Sequence, residues 1–373
     1  MILLRVLLAT IISISMLLAQ AQCPTGNVSI TSQGDANAFA ANYGTCDTLP
    51  GDLIIGPGNI DDYFAFSGVR MIQGDLRTQA IYPIPLDLAG FTQLAHIGGD
   101  LFINSTLTET FTGLSALERI DGNLEVQFSS MLNFTGLSAL SVIGGDLHVY
   151  ISSDMISMNG LTALDTIYGS INMESIQSPN FSLIRIPPQL KYVGGNLRVL
   201  SQYATGMGGG NALTHVGGTL NVQGPSLQNV SGFSNLSTAG DLEFHDAPVL
   251  TSLSGFGSLD SVGNYFRVAL PSLISLTGFP DLKVVGGTFL ATGLGLQSIT
   301  DFGQLTNVGT LTLADSPVLT NITAFDHPIE IEHLFIVNDP QLSYCHVQAV
   351  CEHLTGNPGV TPTIMNNTSG CMS

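Results

Sequence analysis

A short motif recurs along almost the whole chain and governs what the chain can fold into. Its clearest copies are GNLEV at 122–126, GDLHV at 145–149, GNLRV at 195–199 and GTLNV at 218–222. Aligned on the glycine, the slots begin at 51, 74, 99, 122, 145, 169, 195, 218, 240, 264, 287, 309 and 332, with Asn264 and Glu332 standing where the others have glycine. The mean spacing is about 23 residues, inside the leucine-rich range. A unit this short cannot bury its own apolar face and is stable only when copies stack. The expected fold is therefore an all-β solenoid of about thirteen coils, not two ordinary globular domains.

One coil shows the local logic. Phe111, Leu114, Leu117 and Ile120 are spaced by three and are expected to point inward as the chain rounds its corners. Gly122 and Asn123 read as a turn, glycine supplying backbone angles that other residues avoid. The next four residues, 124–127, alternate apolar and polar, the mark of a half-buried strand. Stacking then predicts one buried column: Leu53, Leu76, Leu101, Leu124, Leu147, Ile171, Leu197, Leu220, Leu242, Phe266, Phe289, Leu311 and Leu334. An α/α solenoid is disfavoured, because paired glycines interrupt nearly every would-be helix.

Composition agrees. The chain has 42 glycines, no tryptophan and 10% charged residues, which suits many short strands and tight turns. Acidic residues outnumber basic ones 28 to 9, and the net charge of −19 repels phosphate backbones, so nucleic acid is not an expected partner.

The two ends carry different signals. Arg5 precedes an apolar run at 6–18, and Ala19, Gln20 and Ala21 fit a small-x-small cleavage site, so residues 1–21 are expected to be an export signal. After cleavage no membrane span is expected. The five cysteines, Cys23, Cys46, Cys345, Cys351 and Cys371, all lie outside the repeats. In an exported chain this reads as stapled caps. A Cys23–Cys46 bridge and one bridge to Cys371 are expected, with the partner of Cys371 open. Residues 346–354 should form a short helix over the last coil, leaving Cys345 and Cys351 on different faces. His346 and His353 are read as exposed cap histidines. The resulting division is a signal at 1–21, an N-terminal cap at 22–50, the solenoid at 51–340 and a C-terminal cap at 341–373.

The repeat GLSALxxIxGxLxV, as in Gly113 to Leu117 with Ile120 and Leu124, and Gly136 to Leu140 with Ile143 and Leu147, resembles the receptor L-domain family. The resemblance covers roughly residues 46–340. It implies a right-handed parallel β-helix with leucine-rich coils, and a ligand-binding surface on the sheet face and nearby loops. The tail, with Leu342 to Cys351 and then NNTSGC at 366–371, is similar to the ends of such arrays in secreted bacterial proteins.

No catalytic constellation is legible, and no cofactor or metal is expected. His148, His245 and His327 fall in different coils, and no nucleophile elbow, zinc-protease helix or phosphate loop occurs. The column after the turn glycine runs Asp52, Asp75, Asp100, Asn123, Asp146, Ser170, Asn196, Thr219, Asp241. It is read as turn chemistry, with short polar side chains bonding nearby backbone donors. The outward strand positions are the candidate recognition surface. They include Phe102, Glu125, His148, Tyr150, Asn172, Glu174, Arg198, Glu243, His245 and Arg267, among them residue types enriched at binding hot spots. The expected function is a secreted or cell-surface binding or adhesion module for an extracellular protein or glycan. A structural envelope protein and a carbohydrate-active β-helix enzyme are the alternatives.

Overall fold

The computed structural model describes residues 23–371 apart from 59, 61, 80–87, 105–108, 128–129, 151–153, 177 and 357–361. The expected export signal lies outside the described residues. The chain is a parallel β-solenoid of about thirteen turns. Every strand pairing is parallel, and each coil contributes its strand to the same ladder as the coil before it. The expected leucine column is continuous in register from Leu53 to Leu334. All thirteen of its members are buried. Alternation does the sorting: in Leu124–Gln127 and Leu147–Tyr150 the first and third residues are buried and the second and fourth half-buried.

A second ladder runs along the adjoining corner, just before the paired glycines. Its early members are two-residue strands such as Arg119–Ile120, Val142–Ile143, Thr166–Ile167 and Tyr192–Val193. From His215–Gln223 onward the corner and the main strand run together as one long strand per coil. Together they form a 22-stranded sheet. A five-stranded ladder, from Leu183–Arg185 to Ser275–Leu276, covers the back of the later coils.

Aromatic rings fill the wide part of the interior. Phe233, Phe256, Phe279, Phe302 and Phe325 stack coil upon coil with centroids 5.1–6.4 Å apart. Phe266 and Phe289 form a second stack at 4.7 Å and meet Phe302 edge-on. Each such pair contributes about 0.5–1.5 kcal/mol beyond the area it buries.

Two glycine columns do different jobs, which corrects the expectation for the turn glycine. Positive φ belongs to the back-corner glycines, among them Gly113, Gly136, Gly160, Gly232 and Gly255, at φ 88–113°. There glycine's conformational freedom is required. The second glycine of each GG pair does not have positive φ. It is glycine because a Cβ there would strike the residue after the turn position of the preceding coil, as at Gly99 against the Asp75 side chain, Gly145 against that of Asn123 and Gly195 against that of Ser170.

The ends extend the ladder further than the repeat predicts. Val28–Ile30, within the expected N-terminal cap, pairs with Leu53–Ile55, and Thr363–Met365, within the expected C-terminal cap, pairs with Phe335–Val337. A bare ladder edge would leave a row of backbone groups unpaired, so each end adds one more strand. Helix α1 (Gln33–Tyr43) is N-capped by Ser32, whose hydroxyl accepts from the Asp35 N–H. It sets Phe39 against Phe66, ring centroids 4.9 Å apart. Helix α2 (Gln348–Gly356) matches the expected cap helix. Disulfides join Cys23 to Cys46 and Cys345 to Cys371, while Cys351 is free and exposed on α2. His346 is exposed as expected. His353 is not: it is buried, with a hydrogen bond between its Nδ1 and the Ile331 carbonyl oxygen at 3.0 Å.

Candidate binding face

The outward side of the main ladder carries the residues singled out by sequence. The first outward row is in register from Arg77 through Phe102, Glu125, His148, Asn172, Arg198, Asn221 and Glu243 to Arg267. The second row is in register from Gln79 through Asn104, Gln127 and Tyr150 to Glu174. A register shift between Met173 and Ile176 then interrupts it, and Leu200 pairs with Gln223 beyond. His245 follows the strand Thr238–Phe244 instead of lying within it.

The face is a strip of small clusters, not one pocket. Near the N-terminal end the Arg77 guanidinium donates to the Asp75 carboxylate at 2.7 Å and lies 6.0 Å from the centroid of the Phe102 ring. One coil further, Gln127 donates to Glu125. The His148 and Tyr150 rings lie 3.8 Å apart between centroids. Arg198 reaches Glu174 on the preceding coil at 3.4 Å. The densest cluster surrounds His245. Its ring nitrogens meet Glu243 at 3.2 Å and Asp246 at 2.8 Å, and Asn221 and Gln223 approach it at 3.3 and 3.2 Å. Beside it a shallow depression of about 240 Å³ is lined by Leu200, Ser201, Gln223, Gly224, Pro225 and Asp246.

Three buried polar atoms on this face have no hydrogen-bond partner among the described residues: His148 Nε2, Asn221 Oδ1 and Arg267 Nε. The structure brings together His148 with Tyr150, Glu174 with Arg198, and Glu243 with His245. It leaves Phe102 and Glu125 several coils from Arg198. Asn221, Gln223 and Asp246 complete the His245 cluster, although residue type does not mark them out in the sequence. The first two stood in the outward rows. Asp246 has a positive φ of 54° in a slot that Gly293, Asp315 and Asn338 fill at positive φ in later coils.

The polar column at the turn has a specific role. Oδ1 of Asp52 accepts the N–H of Asp75 at 2.9 Å, Asp75 accepts from Asp100 at 2.7 Å, and Asp100 accepts from Asn123 at 2.8 Å. The relay continues through Asn123, Asp146, Ser170 and Asn196 to Thr219. Turn chemistry was the right reading, but each donor lies one coil away and not a few residues along. The ladder starts at Asn27, which accepts the Asp52 N–H at 3.0 Å. Among the described residues no three His, Cys, Asp or Glu side chains stand together as a metal site. No helix among them is long and apolar enough to cross a membrane.

No protein-family model matches the chain, and no curated protein matches it. Among solved structures, it is similar to a leucine-rich repeat protein from Bacteroides ovatus ATCC 8483, with 14% identity over 82% of this chain and 77% of that one, at a TM-score of 0.25.

Proposed function

We propose that this chain is an exported, non-catalytic binding or adhesion module that meets an extracellular protein or glycan with the outward face of its main ladder. The observation that carries the reading is the combination of variety and rigidity on that face. Tyr150, Arg198, Asn221 and His245 differ from coil to coil, yet each sits on a strand hydrogen-bonded on both sides or next to one. A partner binding there does not have to order the backbone beneath it, which lowers the entropy lost on association. Two disulfides at the ends of the array support an oxidising compartment outside the cytoplasm.

A hydrolytic reading needs two carboxylates with room for a substrate between them. On this face Glu243 and Asp246 both bond to His245, whose ring occupies the gap. That arrangement supports a recognition cluster, not an acid–base pair. The test is binding of the purified chain to arrays of extracellular proteins and glycans. Tyr150 and Arg198 are the expected anchors, each costing on the order of 2 kcal/mol when cut to alanine. A Tyr150→Ala, Arg198→Ala variant with a wild-type melting curve and undiminished binding would remove the main face from the proposal. Turnover of an arrayed glycan would overturn the non-catalytic part.

A further inference from the structure

On the back of the array the column of large side chains at the corner is interrupted. In most coils the residue after the back-corner glycine is large and buried: Leu114, Leu137 and Leu161, then Phe233, Phe256 and Phe279. Between Leu161 and Phe233 the same slot holds Pro187 and Gly210. Two successive coils therefore lack the bulk that fills this corner elsewhere. The glycine slot changes as well: Ile186 stands there between Gly160 and Gly209, which keep positive φ of 113° and 92°. The result is a notch of about 270 Å³ walled by Met158, Leu161, Ile186, Pro187 and Pro188. All of these but Pro188 are buried.

One cation lines this notch. Arg185 ends the strand Leu183–Arg185 and is exposed. Its register partner on the next coil is Gly208, and its slot on the preceding coil holds Asn159, so no carboxylate flanks it. Arg77, Arg119, Lys191, Arg198 and Lys283 each pair with a carboxylate, as expected where acidic residues outnumber basic ones 28 to 9. Arg185 has no hydrogen bond or ion pair among the described residues. A free guanidinium beside an apolar notch selects its ligand. Its paired N–H donors match a carboxylate. The apolar walls offer nothing to a cation or to the further oxygens of a phosphate, and the net charge of −19 repels polyanions. An apolar cavity of about 150 Å³ holds a benzene ring, so this one has room for a ring and a short tether.

We propose that the notch is a binding site for a small amphipathic monocarboxylate, which sets a ring or short alkyl body against Met158, Leu161 and Ile186 and its carboxylate on Arg185. The inference does not depend on the main face.

The experiment is titration of the full chain, carrying ¹³C-methyl methionine, with 3-phenylpropanoate and with octanoate, followed by calorimetry and NMR. Single-site binding of at least one acid with a Kd below about 1 mM is expected. The Met158 methyl signal, assigned through Met158→Leu, should shift, while that of Met365 on the last strand should not. 3-Phenylpropanol keeps the ring and lacks the charge, and should bind at least about tenfold more weakly than its acid. Arg185→Gln, at an exposed position, should keep the wild-type melting curve and erase that preference. Acetyl-glycyl-phenylalanine carries the same groups at a peptide terminus and should bind no more tightly than the free acid. Absence of binding by both acids overturns the inference, as does a Met158 signal that stays in place or acid binding undiminished in Arg185→Gln. Binding of the peptide about tenfold tighter than the acid would assign the notch to a protein C-terminus, and the small-acid inference would fall.

Discussion

A single methyl group at Gly145 would collide with Asn123 of the coil before, whose Cγ would lie 3.0 Å from the new Cβ. Asn123 cannot move aside without giving up the Asp146 N–H, which it accepts at 2.7 Å. Glycine and asparagine are thus one device shared by two coils. Gly145→Ala should destabilise by about 1–3 kcal/mol, and Asn123→Ala by about 1–2 kcal/mol through the orphaned N–H. Because the clash and the acceptor are the same side chain, the double variant should cost at least about 0.5 kcal/mol less than the sum. Denaturant titration of the four proteins measures this, and strict additivity would refute it. The sequence shows both columns but not their coupling, because the partners are 23 residues apart and nothing local betrays them.

Asp339 is the other residue with a measurable signature. It is fully buried, and burial pushes its carboxyl up to about 6, although Oδ1 accepts the Ser316 N–H. Its Oδ2 has no hydrogen-bond partner among the described residues. The folded-state value lies above the ordinary carboxylate value of 3.8, so its contribution to stability is fully present below about 4 and is lost as pH rises through about 6. The difference amounts to at most about 3 kcal/mol. Hydrogen exchange of the last coils should slow between pH 7 and 5 after correction for intrinsic rates. Asp339→Asn should flatten that dependence while keeping the acceptor for Ser316.

At the scale of elements, the strands repeat and the ends do not, and legibility follows that line. Leucine in the main column is identified by its period alone. Leu197, at 0% exposure between Ile171 and Leu220, is a representative case. Leu197→Asp would bury an unpaired carboxylate and should cost more than about 4 kcal/mol, visible as a large drop in melting temperature. Thr363–Met365 escapes the pattern because it lacks the glycine turn that marks the others, whereas Val28–Ile30 follows Gly26 and Asn27 and carries that turn within the expected cap. The cap helix was legible within two residues. The burial of His353 was not, since it depends on the carbonyl of Ile331 from the coil beneath. The choice among three C-terminal cysteines also needed three dimensions: α2 turns Cys351 to solvent, while Cys345 sits before the helix against Cys371. Without reductant, a maleimide should therefore add to the native protein once, at Cys351. Labelling at Cys345 or Cys371 would contradict the pairing.

Over the whole molecule, contact is almost entirely between neighbouring coils, so stability is a sum along one axis and not a property of one core. The side-chain acceptors on that axis have a direction. From Asn27 to Asn196 each one lies on the earlier coil and receives the N–H of the next. Towards the far end both senses occur: Ser316 donates to Asp339 and Asp339 to Asn367, while Asn338 donates back to Asp315 and Asn366 back to Asn338. A chain emerging from its N-terminus can therefore lock its early coils one at a time, each finished turn holding out an acceptor for the turn still arriving. In the last turns one buried column runs the other way. Ser316 waits on Asp339 and Asp339 on Asn367, so that column closes like a zip pulled from the tail, only after almost the whole chain is through.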